Sequence, residues 1–146
     1  STTLPYGACC LGFPPQKIRR IFAAAKIYDT RSGNDPDFPE TLLDDPELMS
    51  LVKIGGEIGT TTGRIRKTNW LNIDKLIVAI NISGSTDILI SKVDVLEKLG
   101  IFKAFHHDTL IHFDTIKDMK DYIISTLSSN CPLLDEIKFS GSAKDI

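Results

Sequence analysis

Three hydroxyls and three cations crowd around two glycines in the segment Gly59-Thr60-Thr61-Thr62-Gly63-Arg64-Ile65-Arg66-Lys67. Threonine hydroxyls and backbone N–H groups can hold carboxylate oxygens, and a guanidinium fork grips a carboxylate or phosphate through two parallel hydrogen bonds. Glycine lets the backbone approach a ligand closely. The segment therefore reads as a loop for a small, doubly charged anion, although composition alone favours a solvated connector and only the surrounding residues shift that reading. A second candidate is Ser91-Lys92-Val93-Asp94, directly after an apolar run. Its carboxylate can accept paired N–H donors from a guanine edge while the lysine stem lies against the ring; alone, it also reads as a polar pair opening a helix. A third is Ser140-Gly141-Ser142, whose backbone could meet the same ring or simply fray. His106, His107 and His112 lie near Asp108 and Asp114, residue types that bind metals. Their irregular spacing favours exposed loop residues. Cys9, Cys10 and Cys131 have neither zinc spacing nor a base matched in sequence, so no nucleophile stands out.

These residues need elements to position them. Residues 1–15, rich in Gly and Pro, read as loop, followed by a helical turn over 16–20. Ile21, Ala23, Ala25 and Ile27 alternate, which suggests a buried strand or a continuation of helix from 16 to 27. Residues 29–43 read as a polar loop. Asp44-Asp45-Pro46-Glu47 opens a helix that runs to about Lys53 and stops at Gly55-Gly56. After the Thr/Arg segment, Asn69 or Asn72 can cap a helix whose buried face is Ile73, Leu76, Ile77 and Ile80. Asn81 to Ser85 forms its exit turn. Asp87 to Ser91 is a short strand, and a short helix spans Val95 to Leu99. Residues 100–114 read as irregular. Thr115 and Asp118 make a weak capping box for a helix faced by Ile116, Met119, Ile123 and Leu127. A last strand covers Glu136 to Ser140. Alternating helices and strands predict an α/β fold with a mainly parallel sheet and flanking helices. In such sheets ligands bind beyond the carboxyl ends of strands, where Ser91–Asp94 and Ser140–Ser142 fall.

The totals set bounds. A chain of 146 residues is one domain's worth, and 42% hydrophobic with 25% charged residues is ordinary for a globular protein. A net charge of −2 argues against general nucleic-acid binding. No apolar run approaches membrane-spanning length. An odd number of cysteines makes a poor disulfide framework, so reduced thiols and a cytoplasmic location are expected. The chain does not begin with Met, and Ser1-Thr2-Thr3 reads as an interior segment.

The order of these motifs adds more than any one of them. Glu57 through Leu71, with its Thr-Thr-Gly-Arg-x-Arg core, resembles the aspartate loop of the adenylosuccinate synthetase family. Ser91-Lys92-Val93-Asp94-Val95-Leu96 resembles that family's guanine-binding Thr-Lys-Leu-Asp-Val-Leu segment. Tyr28 to Glu40 is similar to its Tyr-x-Thr-Arg segment, and Ser1-Thr2-Thr3 to its Asn-Thr-Thr. Ser140-Gly141-Ser142 falls at its C-terminal turn. Nearly the whole chain is covered, in order, so residues 1–146 resemble the C-terminal part of that family's domain, with a fold related to P-loop nucleotide hydrolases.

The resemblance implies a GTP-driven ligase that joins L-aspartate to the 6-position of a purine nucleotide, turning IMP into adenylosuccinate, with Mg2+ at the transferring phosphate. It implies that Thr61, Thr62, Arg64 and Arg66 hold aspartate. Thr3, Ser32 and Arg64 would line the purine-nucleotide pocket; Lys92, Asp94, Ser140 and Ser142 would bind GTP. Family members are generally homodimers. Some departures fall on the purine-nucleotide side: Leu4-Pro5-Tyr6 and Asp35-Pro36-Asp37 replace small or Gly-Pro-Phe-Pro patterns. Ile65 and Asn69 also replace an arginine and a glycine. A phage-type ligase acting on dGMP, with GTP or ATP as donor, is the close alternative; a non-catalytic nucleotide-binding fragment is the second. The family's catalytic Asp, His and glycine-rich phosphate loop have no counterpart in these residues. The chain alone is therefore expected to be inactive and to need the N-terminal half.

Overall fold

A computed structural model describes residues 4–61 and 63–142 of the chain. Its helices follow their caps. Asp45 accepts hydrogen bonds from the backbone N–H groups of Glu47 (2.8 Å) and Leu48 (3.1 Å), and Pro46 occupies the first turn, so a helix starts there. In order, the helices are α1 (Leu4–Leu11), α2 (Pro46–Gly55), α3 (Ile73–Ser83), α4 (Val93–Leu99) and α5 (Ile116–Asn130). Asn72, rather than Asn69, caps α3 by accepting from Lys75 N–H. Thr115 caps α5 by accepting from Asp118 N–H, as read from sequence, while the return contact of Asp118 is to the Thr115 hydroxyl rather than to its backbone N–H.

The strands are β1 (Phe22–Lys26), β2 (Tyr28–Arg31), β3 (Lys67–Asn72), β4 (Asp87–Ser91), β5 (Phe102–His106), β6 (Thr109–Phe113) and β7 (Glu136–Phe139). They form a three-stranded parallel sheet, β1-β4-β7, and a four-stranded sheet, β2-β3-β5-β6. In the second sheet β3 and β5 are parallel, while β2–β3 and β5–β6 are antiparallel. The α/β class with a parallel sheet and flanking helices is thus present, with two antiparallel pairs added. Ile88, Ile90, Leu51, Leu71, Ile73, Leu96, Met119, Ile123 and Leu127 are all buried in the core. α2 packs on α4 and β3, and α5 packs on α3 and the β5–β6 hairpin.

Several sequence expectations are corrected. Residues 1–15 are not all loop: Leu4–Leu11 is helical, with Gly7 inside it and Ala8 buried. Proline is tolerated in a first helical turn, so Pro5 does not prevent the helix. Residues 20–28 contain a strand, not a continued helix. The polar loop at 29–43 starts as β2 and ends in a 3-10 helix, Glu40–Asp44. The Thr/Arg segment runs into β3 before reaching α3. Residues 100–114, read as irregular, are the β5–β6 hairpin. Its two-residue turn, His107-Asp108, has φ of 51° and 56°, the left-handed geometry that closes a tight hairpin, without the glycine that would have signalled it.

Candidate functional site

Two adjacent glycines shape the approach to the Thr/Arg loop, for different reasons. Gly56 ends α2 at φ 63°, a left-handed cap after which Glu57 N–H bonds back to the Val52 carbonyl at 3.0 Å. Gly55 must be small, since a Cβ there would lie 2.5 Å from the Tyr28 hydroxyl. The turn delivers Glu57, which is only 2% exposed, into a cage of donors. Lys26 Nζ reaches both carboxylate oxygens at 2.8 Å, Tyr28 Oη donates at 2.8 Å, and Arg66 Nη1 lies at 3.3 Å. Burial raises the cost of the Glu57 charge, but the bonds from Lys26 and Tyr28 outweigh it and hold its pKa below the usual value. Burial, followed by the bond to Glu57, raises that of the Tyr28 phenol.

Beyond Glu57 the chain makes a narrow hairpin. Ile58 and Ile65 pair across its base, Gly59 N–H donates to the Arg64 carbonyl at 2.8 Å, and Arg66 N–H donates to the Glu57 carbonyl at 3.0 Å. Thr61 is exposed at its tip, and Thr62 lies outside the described residues. Arg64 lines a hollow of about 420 Å³ with Ser32, Gly33, Asn34, Glu40 and Lys67. Lys67 is itself buried, and its ammonium contacts Glu40 at 2.8 Å. Two residues that the resemblance places at the purine nucleotide, Ser32 and Arg64, therefore share one cavity; the third, Thr3, lies outside the described residues.

The other group sits at the carboxyl ends of β4 and β7. Val93 N–H donates to the Ser140 carbonyl (3.2 Å), and Ser140 N–H to the Ile90 carbonyl (2.9 Å), so Lys92–Asp94 and Ser140–Ser142 are neighbours. Ser140 is buried, and its hydroxyl donates to the Ser142 carbonyl. Lys92 has a φ of 67°, uncommon for a residue with a side chain, and its ammonium donates to the Gly55 carbonyl at 2.9 Å. Asp94, partly exposed, pairs with Lys98 at 2.8 Å. The Gly55–Glu57 turn thus touches both groups, through Lys92 on one side and Arg66 on the other.

Sequence reading missed Lys26 and Tyr28 as partners of this turn. Lys26 is 31 positions from Glu57, and only the tertiary fold brings the two together. An acidic residue after two glycines was the available signal, but nothing local shows that it is buried. The histidines are not simply loop residues: His106 is in β5 with its side chain 11% exposed. It forms, with His107 and Asp74, a group whose ligand atoms lie within 4.8 Å of one another. Among the described residues no helix is long and apolar enough to cross a membrane.

Comparison with known proteins covers most of the chain. The family model described as adenylosuccinate synthetase matches residues 1–122. An adenylosuccinate synthetase of Methanococcoides burtonii is 35% identical over 142 residues, 94% of this chain and 32% of that protein. One from Acidothermus cellulolyticus is 45% identical over 103 residues, 68% of this chain and 24% of that protein. The solved structure of a fully ligated adenylosuccinate synthetase from Plasmodium falciparum superposes with a TM-score of 0.63 at 28% identity, covering 78% of this chain and 28% of that one. The chain spans about a fifth to a third of the length of the curated relatives it matches.

Proposed function

This chain belongs to the adenylosuccinate synthetase family, and we propose that it forms the C-terminal part of a GTP-dependent ligase joining L-aspartate to a purine nucleotide, IMP in the first instance. The observation that carries this reading is the meeting of both motif groups on the Gly55–Glu57 turn. In this reading residues 1–146 belong to a single domain. The loop carrying Thr61, Thr62, Arg64 and Arg66 receives the two carboxylates of aspartate. Arg64 also faces the nucleotide with Ser32, in the hollow they share; the family resemblance assigns Thr3 to the same nucleotide. Asp94 accepts from the guanine edge of GTP, with Lys92, Ser140 and Ser142 around the ring. Glu57 orients Arg66 and Lys26 and touches no substrate. Holding both reactants in fixed geometry removes much of the entropic barrier to their reaction.

The family's Mg2+ is assigned to none of these residues. Magnesium takes oxygen ligands in octahedral geometry, whereas the one His/Asp group among the described residues offers two nitrogens and a carboxylate.

An open sheet face supports the reading as a part of a larger enzyme. Parallel sheets are normally covered on both sides. Ala23, Ala25, Ile88, Ile90, Ile137 and Phe139 turn one face of β1-β4-β7 to the core. On the other, Phe22 is 71% exposed, and a hollow of about 300 Å³ runs over Ala24, Leu89 and Lys138. In this reading the remaining family length covers that face and brings the catalytic groups. The test is adenylosuccinate formation from GTP, aspartate and IMP, with dGMP as a parallel acceptor. The chain alone should give no sustained turnover; supplying the remaining family length should restore it. Absence of ligation in the complete assembly with either acceptor would overturn the ligase reading.

A further inference from the structure

We propose that Asp74, His106 and His107 form a binding site for a divalent transition-metal cation of the zinc class, tying the tip of the β5–β6 hairpin to the start of α3. Asp74 Oδ1 lies 3.3 Å from His107 Nδ1 and 3.8 Å from His106 Nε2. Both separations exceed the usual N–H···O distance. The shorter matches the edge of a coordination tetrahedron, about 3.3–3.4 Å when metal–ligand bonds are about 2.0–2.1 Å; the longer must close by about 0.4 Å for His106 to join the same ion. One oxygen and two nitrogens thus lie within 4.8 Å of one another, close enough for one ion to gather them.

The surrounding contacts orient the three ligands. His106 Nδ1 is bonded to the Tyr122 hydroxyl at 2.7 Å, so Nε2 is the nitrogen left for a ligand. The second oxygen of Asp74 accepts the His107 backbone N–H at 2.7 Å, which leaves Oδ1 directed at the imidazoles. His107, in a left-handed backbone, stacks its ring over that of His106, with centroids 3.9 Å apart; a metal lies in the plane of each imidazole it binds, so binding turns the exposed His107 ring out of that stack. His107 is 80% exposed, so solvent can supply a fourth ligand. Two imidazoles and a carboxylate select zinc, cobalt or nickel over magnesium or calcium. The group shares no residue with the Thr/Arg loop or with the ends of β4 and β7, and it does not depend on the ligase reading.

The test uses the 146-residue chain carrying Cys9→Ser and Cys10→Ser, because those two exposed thiols could bind zinc on their own. Zn2+ is titrated calorimetrically, and Co2+ by its visible absorption. The expected result is one saturable equivalent per chain, with the cobalt bands of nitrogen and oxygen ligation. His107→Asn, which tolerates a left-handed backbone, and Asp74→Asn should each weaken binding at least about tenfold. Tyr122→Phe should weaken it less, and exposed His112→Ala should leave it unchanged. Thermal melting of the metal-free variants checks that they fold; His107, at the exposed turn, should leave the melt unaltered. No saturable zinc binding, or binding indifferent to His107→Asn, would overturn the site.

Discussion

Glu57 is the residue on which the local geometry turns. A buried carboxylate survives only with its oxygens satisfied, and here Lys26, Tyr28 and Arg66 do so together. Its folded pKa lies below the ordinary 4.5, against the opposing effect of burial. The carboxylate therefore contributes stability that is fully present above the unfolded pKa and is lost as pH falls through the folded value. Asp29 acts with the opposite sign: burial, stronger than its bond from Asn72 N–H, raises its pKa, so it favours folding increasingly as pH drops. Replacing Glu57 separates the two. Glu57→Gln should cost about 1–3 kcal/mol at neutral pH, with the difference from the parent chain shrinking as the solution is acidified below about 4.5. Urea unfolding across that range measures it; a constant difference would mean that the charge is not what stabilises the cage.

Among the elements, the helices with strong local signals were legible: Asp45-Pro46 for α2, Thr115 with Asp118 for α5, and the spacing of Ile73 and Ile80 for α3. β4 showed as an apolar run. β2 and β3 did not, because Tyr28–Arg31 and Lys67–Asn72 carry polar residues whose partners are remote. The β5–β6 hairpin lacked its usual turn residue, with Asp108 and His107 adopting the left-handed form instead. The Thr/Arg loop was visible as chemistry, but its anchorage to β1 depends on strand pairing that no window of sequence contains. Gly55 illustrates this: it reads as a helix stop, whereas its small size accommodates the Tyr28 hydroxyl reaching it from β2. Tyr28 is 1% exposed and cannot swing aside freely. Gly55→Ala should therefore destabilise the chain by about 1–3 kcal/mol through overpacking, although alanine is the better helix former. A thermal melt at or above the parent's would show that the α2–β2 contact is looser than described.

At the scale of the molecule, two sheets and the helices around them bring the Thr/Arg loop and the carboxyl ends of β4 and β7 to a shared turn. Family membership gives this arrangement a chemical context, and kinetics tests the proposed assignment of aspartate to the loop and guanine to the strand ends. The most direct measurement is the steady-state KM for aspartate and for GTP in the complete assembly carrying Arg66→Leu. Loss of a charge-assisted contact of about 1.5–3 kcal/mol corresponds to a rise in KM for aspartate of about tenfold or more, with KM for GTP held near its parent value. A rise in both constants by the same factor, with an unchanged melting temperature, would contradict the assignment of Arg66 to aspartate.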